Sequence, residues 1–316
     1  MTNCSTPNGI VVRTADGNWK SLYYNGISNA TFIGRIMITS KGHKWVNIPR
    51  GGAGILVFDD NGTPTDNADD KSHFFTQLRN ARGDALNVSA FYCMAEDLNG
   101  EVWVGTDHGP VICSTPEAAI KDPQKFFGSV IVRPNDDGSN GIFLDSEQIK
   151  AIAVDGGNRK WIGTGSSGIF LVNPSGTETI EHFTTENSPL LSNHIQSIAI
   201  DHKTGEVFIG TDKGIISYLG TATEASSNYS DVYVFPNPVR PDFDGSVTIT
   251  GLIADSNVKI TDLNGNLIYQ TKSAGGQATW NCHSHKGQHV ATGIYLVLAS
   301  TPQGTESVVA KIAVVQ

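Results

Sequence analysis

Residues 160–172 read KWIGTGSSGIFLV. The same phrase occurs as EVWVGTDHGPVIC at 101–113 and EVFIGTDKGIISY at 206–218, and in altered form as KWVNIPRGGAGILVF at 44–58. Self-similarity at a fixed period sets the architecture before any other feature does. Trp45, Trp103, Trp161 and Phe208 hold the same place in each copy, roughly 50 residues apart. An apolar run precedes each of them (FIGRIMITS, FYCMAEDLN, IKAIAVDGG, IQSIAIDHK). A glycine-containing turn and a third apolar run follow (GILVF, GPVIC, GIFLV, GIISY), and stretches such as SHFFTQL and EHFTTEN supply a fourth. Four short antiparallel strands per repeat describe the blade of a β-propeller. A single blade cannot bury both faces, so the Trp or Phe is expected to be a buried apolar plug between neighbouring blades. Gly105, Gly163 and Gly210 follow it with a threonine, and are expected to open the turn to the third strand through positive φ.

Composition agrees. The 34 glycines and the low charged fraction of 17% suit short strands joined by tight turns. The net charge of −9 carries no Lys/Arg cluster, which excludes a nucleic-acid groove. No stretch approaches the roughly 20 apolar residues that span a bilayer. The opening MTNCSTPNGIVVRTADG lacks a basic start and an apolar run, so no signal peptide is read in it. Of four cysteines, Cys93 and Cys113 lie in apolar strand-like runs and are expected as buried free thiols; Cys4 and Cys282 form no CxxC pair with them.

The strand count is uneven. Residues 8–24 look like the third and fourth strands of a blade whose first half is missing, and 195–219 lacks a fourth strand. Either 19–24 clasps onto 214–219 and closes a small ring, or the chain is the back of a larger propeller truncated at its N-terminus. The second is favoured, because the opening lacks its own Trp-Ile-Gly-Thr strand. After Tyr218 the periodicity stops. LGTATEASSNYSD is small and polar and reads as a linker. From 231 onward come alternating runs (SVTITGL, NVKITDL, LIYQT, QATWN, GIYLVLAS, SVVAKIAVV), with an Asn264-Gly265 turn that signals a hairpin. The fold class is therefore all-β: a partial or small propeller of about four blades over 1–220, a linker at 221–230, and an immunoglobulin-like β-sandwich over 231–316.

The copies resemble the two-component regulator propeller repeat, D-x-x-G-x-x-W-[IV]-G-T-x-x-G-[IL]. DLNGEVWVGTDHGPV at 97–111 fits best, and the first copy departs most, with Asn47-Ile48 in place of Gly-Thr. The C-terminal region resembles the type IX secretion sorting domain of proteins exported across the outer membrane of Bacteroidetes. Pro236, Asn237 and Pro238, Asp262 and Gly265, Gly293 and Tyr295, and Lys311 carry that resemblance. These residues serve either the fold alone or direct recognition by a translocon. Regulator-type blades followed directly by this domain are similar to a family of cell-surface components of the type IX machinery. The resemblance implies a surface location, a complex with the sortase PorU, the barrel protein PorV and PorQ, and handling of anionic lipopolysaccharide. Two rivals use the same parts: the sensor region of a hybrid two-component system, and a secreted cargo protein, such as a glycan-active enzyme, that carries the C-terminal domain as an address.

No catalytic residues and no cofactor are nominated. HExxH, GxSxG and P-loop patterns do not occur. Asp97, Asp155 and Asp201 recur at equivalent turn positions, where they are expected to cap backbone N–H groups. NCHSHKGQH brings Cys282, His283, His285 and His289 close in sequence, but it reads as a solvated loop, since structural zinc needs four converging ligands. The acidic run DDNGTPTDNADD at 59–70 has Pro64 where a calcium loop needs glycine, and reads as a disordered loop.

Overall fold

The computed structural model describes residues 10–27, 32–49, 52–134, 138–301, 304 and 306–315; Cys4 lies outside them. Two compact units account for the chain: Met1–Val154 with Lys160–Ile198 and Ile209–Ile216, and Asp155–Arg159 with Ala199–Phe208 and Ser217–Gln316. No helix of the described residues is long and apolar enough to cross a membrane.

The first unit opens with a two-stranded sheet, β1 (Ile10–Arg13) and β2 (Trp19–Leu22). Three four-stranded antiparallel sheets follow, each one sequence repeat in simple up-and-down order. They are β3 (Ile36–Ile38), β4 (Lys44–Ile48), β5 (Gly54–Asp59) and β6 (Lys71–Phe75); then β7 (Phe91–Glu96), β8 (Val102–Thr106), β9 (Gly109–Cys113) and β10 (Ser129–Val130). A small pair, β11 (Val132–Pro134) and β12 (Asn140–Ile142), precedes the third: β13 (Ile149–Val154), β14 (Lys160–Thr164), β15 (Ile169–Val172) and β16 (Thr179–Phe183). The last repeat forms a three-stranded sheet of β17 (Ile195–Asp201), β18 (Glu206–Thr211) and β19 (Gly214–Leu219). The clasp between 19–24 and 214–219 is not formed. β2 pairs with β1, β19 with β18, and Ile10, Leu22 and Tyr24 pack with Val46, Leu56 and Phe58 of the first four-stranded sheet.

The tryptophans show how the sheets stack. Trp45, Trp103 and Trp161 are fully buried in the second strands of their sheets. Trp45 packs with Phe91, Val102, Val104 and Val111 of the next sheet, and Trp103 with Ile149, Ile152, Ile162 and Val172 of the one after. The second and third of these sheets therefore cover the aromatic of the repeat before them. Phe208, expected to be equally buried, is 41% exposed. Among the described residues no further repeat follows β17–β19 to supply the cover.

The glycines have a different cause from the one expected. Gly105, Gly163 and Gly210 lie inside β8, β14 and β18, and none has positive φ. At Gly105 a Cβ would stand 2.7 Å from the Ile149 carbonyl oxygen and 2.9 Å from the Ile149 side chain, and at Gly163 2.4 Å from the Ile195 side chain. At these two positions the next sheet approaches too closely for any side chain. Gly210 is crowded instead by Ser197 of its own sheet. Asn47, which replaces this glycine in the first copy, reaches out: its Nδ2 donates to Phe91 O and Tyr92 O, each at 2.9 Å, and its Oδ1 accepts from Arg35 N at 2.6 Å. The turn itself is built by the threonine. Thr106 Oγ1 donates to Gly109 O at 2.7 Å and accepts from His108 N; Thr164 and Thr211 make the same pair of bonds with Gly168 O and Ser167 N, and with Gly214 O and Lys213 N.

In the second unit two sheets face each other over one core. One holds β20 (Tyr233–Phe235), β21 (Val247–Thr250) and β24 (Gln277–Trp280); the other runs β23 (Leu267–Lys272), β22 (Asn257–Thr261), β25 (Gly293–Ser300), β26 (Glu306–Val314). Val247, Ile249 and Trp280 from the first meet Val258, Ile260, Val297 and Ile312 from the second. The stretch 221–230, expected as a linker, is bonded to this sandwich. Thr223 O accepts from Gly276 N at 2.9 Å, Ser226 N donates to Leu252 O at 2.8 Å, and Tyr229 shares a 2.7 Å bond with Ser256. The turn 155–159 of the same unit lies against it: a Cβ on Gly156 would fall 1.8 Å from Thr223 O, and Arg159 joins Asp155 to Thr221. Small polar residues here mark close backbone contact, where larger side chains would not fit.

Candidate functional site

Register brings the sorting-type residues to one end of the β23-β22-β25-β26 sheet. Thr261 pairs with Leu296, and Leu296 with Lys311. The Asp262 turn, the start of β25 and the last turns of β26 therefore lie side by side. Asn237, between Pro236 and Pro238, is bonded to the same place: its Nδ2 donates to Lys311 O at 2.9 Å and its Oδ1 accepts from Ala313 N at 3.0 Å. Val239 continues the pairing, with Val239 N to Ala313 O at 2.8 Å and Val315 N to Val239 O at 2.9 Å. One amide side chain thus satisfies a donor and an acceptor that the edge of β26 would leave open. The Lys311 ammonium faces solvent, while its carbonyl does the joining.

Asp262 closes the β22–β23 hairpin. Its Oδ1 accepts from Asn264 N and Asn266 N, each at 2.9 Å, and its Oδ2 from Asn266 Nδ2 at 2.7 Å. These donors, the Asn266 amide first, hold the carboxyl below the usual aspartate value. Gly265 has φ +83°, which the turn requires. Gly293 begins β25, and Tyr295 two residues on is buried edge-on against Trp280, ring centroids 5.5 Å apart, with its hydroxyl donating to Ala291 O at 2.8 Å. Around this framework Leu263, Leu267 and Ile294 are exposed. Sequence reasoning missed Leu263 because an isolated leucine in a turn carries no periodic signal, and missed Leu267 and Ile294 because they lie in strands whose apolar residues all read as core.

The repeat aspartates cap their turns. Asp97 Oδ1 accepts from Asn99 N and Glu101 N, Asp155 Oδ1 from Gly157 N and Arg159 N, and Asp201 Oδ1 from Lys203 N. Asp97 has a second role that the sequence did not reveal: its Oδ2 accepts from the Lys160 ammonium at 2.8 Å, with both side chains fully buried. The acidic run 59–70 is ordered, contrary to expectation. Thr63 bonds Asp60 O and Asp69 Oδ1, Asn61 Nδ2 bonds Asp69 O, and Lys44 pairs with Asp60 at 2.6 Å. The carboxylates here act as turn acceptors.

Several serine hydroxyls of the first unit donate to carboxylates: Ser40 to Glu96, Ser89 to Asp107, and Ser166 and Ser167 to Glu147. A cleft of about 330 Å³ between Ser40, His43, Glu96, Thr115 and Glu117 has both its carboxylates engaged, Glu96 by Ser40 N and Oγ and Glu117 by Lys121. Burial pushes the Cys93 and Cys113 thiols up to about 12, away from reactive thiolate. Cys282 belongs to the sandwich core, and the described residues hold no cluster of three or more metal-ligating side chains.

These parts define a class: propeller-type sheets followed by a secretion-type sandwich. Residues 233–315 match the family described as a secretion system C-terminal sorting domain. More particularly, the chain is PorZ-like. It is 34% identical to PorZ, described as an essential bacterial surface component of the type IX secretion system of the human oral bacterium Porphyromonas gingivalis, and superposes on it with a TM-score of 0.67. The match covers 95% of this chain and 41% of PorZ, so the chain spans less than half of that relative. The extracellular domain of the putative one-component system BT4673 from Bacteroides thetaiotaomicron is 12% identical, with a TM-score of 0.40 over 97% of this chain and 61% of that one. The β-propeller domain of Cps50 (Swd1) from Myceliophteria thermophila is 13% identical, with a TM-score of 0.42 over 87% and 82%. No curated protein matches.

Proposed function

We propose that this chain is part of a non-enzymatic surface component of the type IX secretion machinery in a Bacteroidetes outer membrane. In this reading it scaffolds the attachment complex of PorU, PorV and PorQ and binds anionic lipopolysaccharide. The observation that carries it is the PorZ likeness, which runs through both the propeller-type sheets and the sorting domain. A cargo protein would share only the latter. The sheets 10–220 are the back of a longer propeller, with Trp45, Trp103, Trp161 and the packing positions Gly105 and Gly163 as its stacking elements, and Phe208 as the plug of a face that another repeat covers. The sandwich end formed by Pro236–Pro238, Asp262, Gly265, Gly293, Tyr295 and Lys311 is the part presented to the machinery, with Leu263 and Ile294 as its apolar contacts.

The test is to express the tagged chain in a type IX-competent host and recover it from the cell surface. Co-purification of PorU, PorV or PorQ with a chain still ending at Gln316 is expected. Recovery of a surface product cut near residue 230, without those proteins, would replace the scaffold reading with the cargo reading.

A further inference from the structure

β25 is apolar on both of its faces. Tyr295, Val297 and Ala299 belong to the sandwich core, so the alternate residues Ile294, Leu296 and Leu298 point outward. Register fixes what surrounds them on that outer face. Leu296 lies between Thr261 and Lys311, and Leu298 between Lys259 and Val308. One strand further out, Thr261 pairs with Leu267, Lys259 with Gln270 and Asn257 with Lys272. Ile294 is 41% exposed, Leu267 45% and Val308 52%, while Leu296 and Leu298 are half-buried.

The solvated face of an antiparallel sheet ordinarily carries polar residues, and a leucine stripe there marks a contact surface. Its surroundings are basic. Lys272 and Lys311 stand exposed on opposite sides of the stripe, and among the described side chains of this face none is a carboxylate, in a chain of net charge −9. Asp262 lies past the strand end, bonded within its own turn. These features select the occupant. A second copy of the same face would set lysines against lysines. A packed sheet needs apolar residues on several neighbouring strands, whereas here β22 offers Asn257, Lys259 and Thr261 beside β25. A flat anionic membrane would meet the exposed lysines before the half-buried leucines. A helix presents a narrow apolar stripe between polar flanks. Ile294 to Leu298 covers about 13 Å of strand, the rise of about nine helical residues.

We propose that the outer face of the β23-β22-β25-β26 sheet docks an amphipathic helix of a partner protein. The helix lies along β25, its apolar stripe on Ile294, Leu296 and Leu298, and carboxylates on its two flanks meet Lys272 and Lys311. The inference needs the sandwich alone and stands apart from the chain's place in the secretion machinery.

The test uses the full chain and two blocked peptides of about 18 residues, long enough to hold a helix. Both carry the same leucine stripe; one has glutamate on its flanks and the other lysine. Titration by fluorescence anisotropy should show one site for the glutamate peptide and at least about 10-fold weaker binding of the lysine peptide. Leu296→Thr and Leu298→Thr should each weaken the glutamate peptide about 10-fold. Lys272→Glu combined with Lys311→Glu should reverse the preference, so that the lysine peptide binds tighter. These two lysines are exposed, so the reversal remains readable if circular dichroism shows that the leucine variants do not fold. No binding of the glutamate peptide, equal binding of the two peptides, or a preference that survives the charge reversal would overturn the proposal. So would binding of the chain to phosphatidylglycerol vesicles, or a dimer of the chain, that the same variants abolish.

Discussion

Replacing Lys160 by methionine isolates the buried ion pair of the first unit. The Lys160 ammonium donates to Asp97 Oδ2 at 2.8 Å and to Pro174 O at 2.7 Å, and stands 4.6 Å from the centre of the Trp103 ring. Both charged side chains are 0% exposed. Methionine keeps most of the lysine volume, so no large cavity forms and the loss is electrostatic. Asp97 is left as a buried charge without its counterion, which costs about 3–5 kcal/mol. For a unit of this size each kcal/mol lowers the melting temperature by about 2–4 °C, so the variant should melt roughly 6–20 °C earlier. In the double variant Asp97→Asn with Lys160→Met, the amide oxygen can still accept the turn N–H groups of Asn99 and Glu101, and no charge is stranded. It should regain at least half of the loss. Urea unfolding followed by near-ultraviolet circular dichroism of the tryptophans, Trp103 among them, reads both. A cost below about 1 kcal/mol for Lys160→Met, or a double variant no better than the single one, would refute the account of a charge pair that must be kept or removed together.

Trp103→Ala should cost about 3–5 kcal/mol as a packed aromatic, whereas Phe208→Ala, at a residue 41% exposed, should cost about 1 kcal/mol, both read by denaturant unfolding. Burial alone would raise the Asp107 carboxyl, but bonds from the Ser89 hydroxyl and from Ser89 N and Ala90 N bring it below its ordinary 3.8. A depressed carboxylate stabilises the fold above its unfolded value and loses that contribution as pH falls through the folded one, so Asp107→Asn should flatten the stability curve below about pH 4. Asn237→Ala removes the two bonds to β26 and should cost about 1–3 kcal/mol in the sandwich, with faster hydrogen exchange at the Ala313 amide as the local readout.

The strand grammar, the sandwich with its Asn264-Gly265 hairpin and the aspartate caps were all legible in the residues. They depend on alternation and on turn chemistry that acts over a few neighbours: an aspartate bonds N–H groups two and four residues on, and a threonine closes its own three- or four-residue turn. The placement of Trp45, Trp103 and Trp161 was legible for a related reason, since repetition displays the same packing demand three times. The glycines were located but misread, because a close approach by Ile149 or Ile195 involves a strand more than thirty residues away in sequence.

What the sequence determined by itself was therefore which segments become strands and which residues turn them. Only the tertiary structure decided which faces are covered. Phe208 matches the tryptophans in position but lacks their burial, because cover comes from the next repeat and not from the strand itself. Lys160 sits one place before a core tryptophan and looks like a surface residue; it is buried because packing sets it against Asp97 and Pro174 O. The polar stretch 221–230 reads as loose chain, yet Thr223 and Tyr229 find partners in Gly276 and Ser256. In each case the deciding contact joins residues distant along the chain, and local composition carries no record of distant partners.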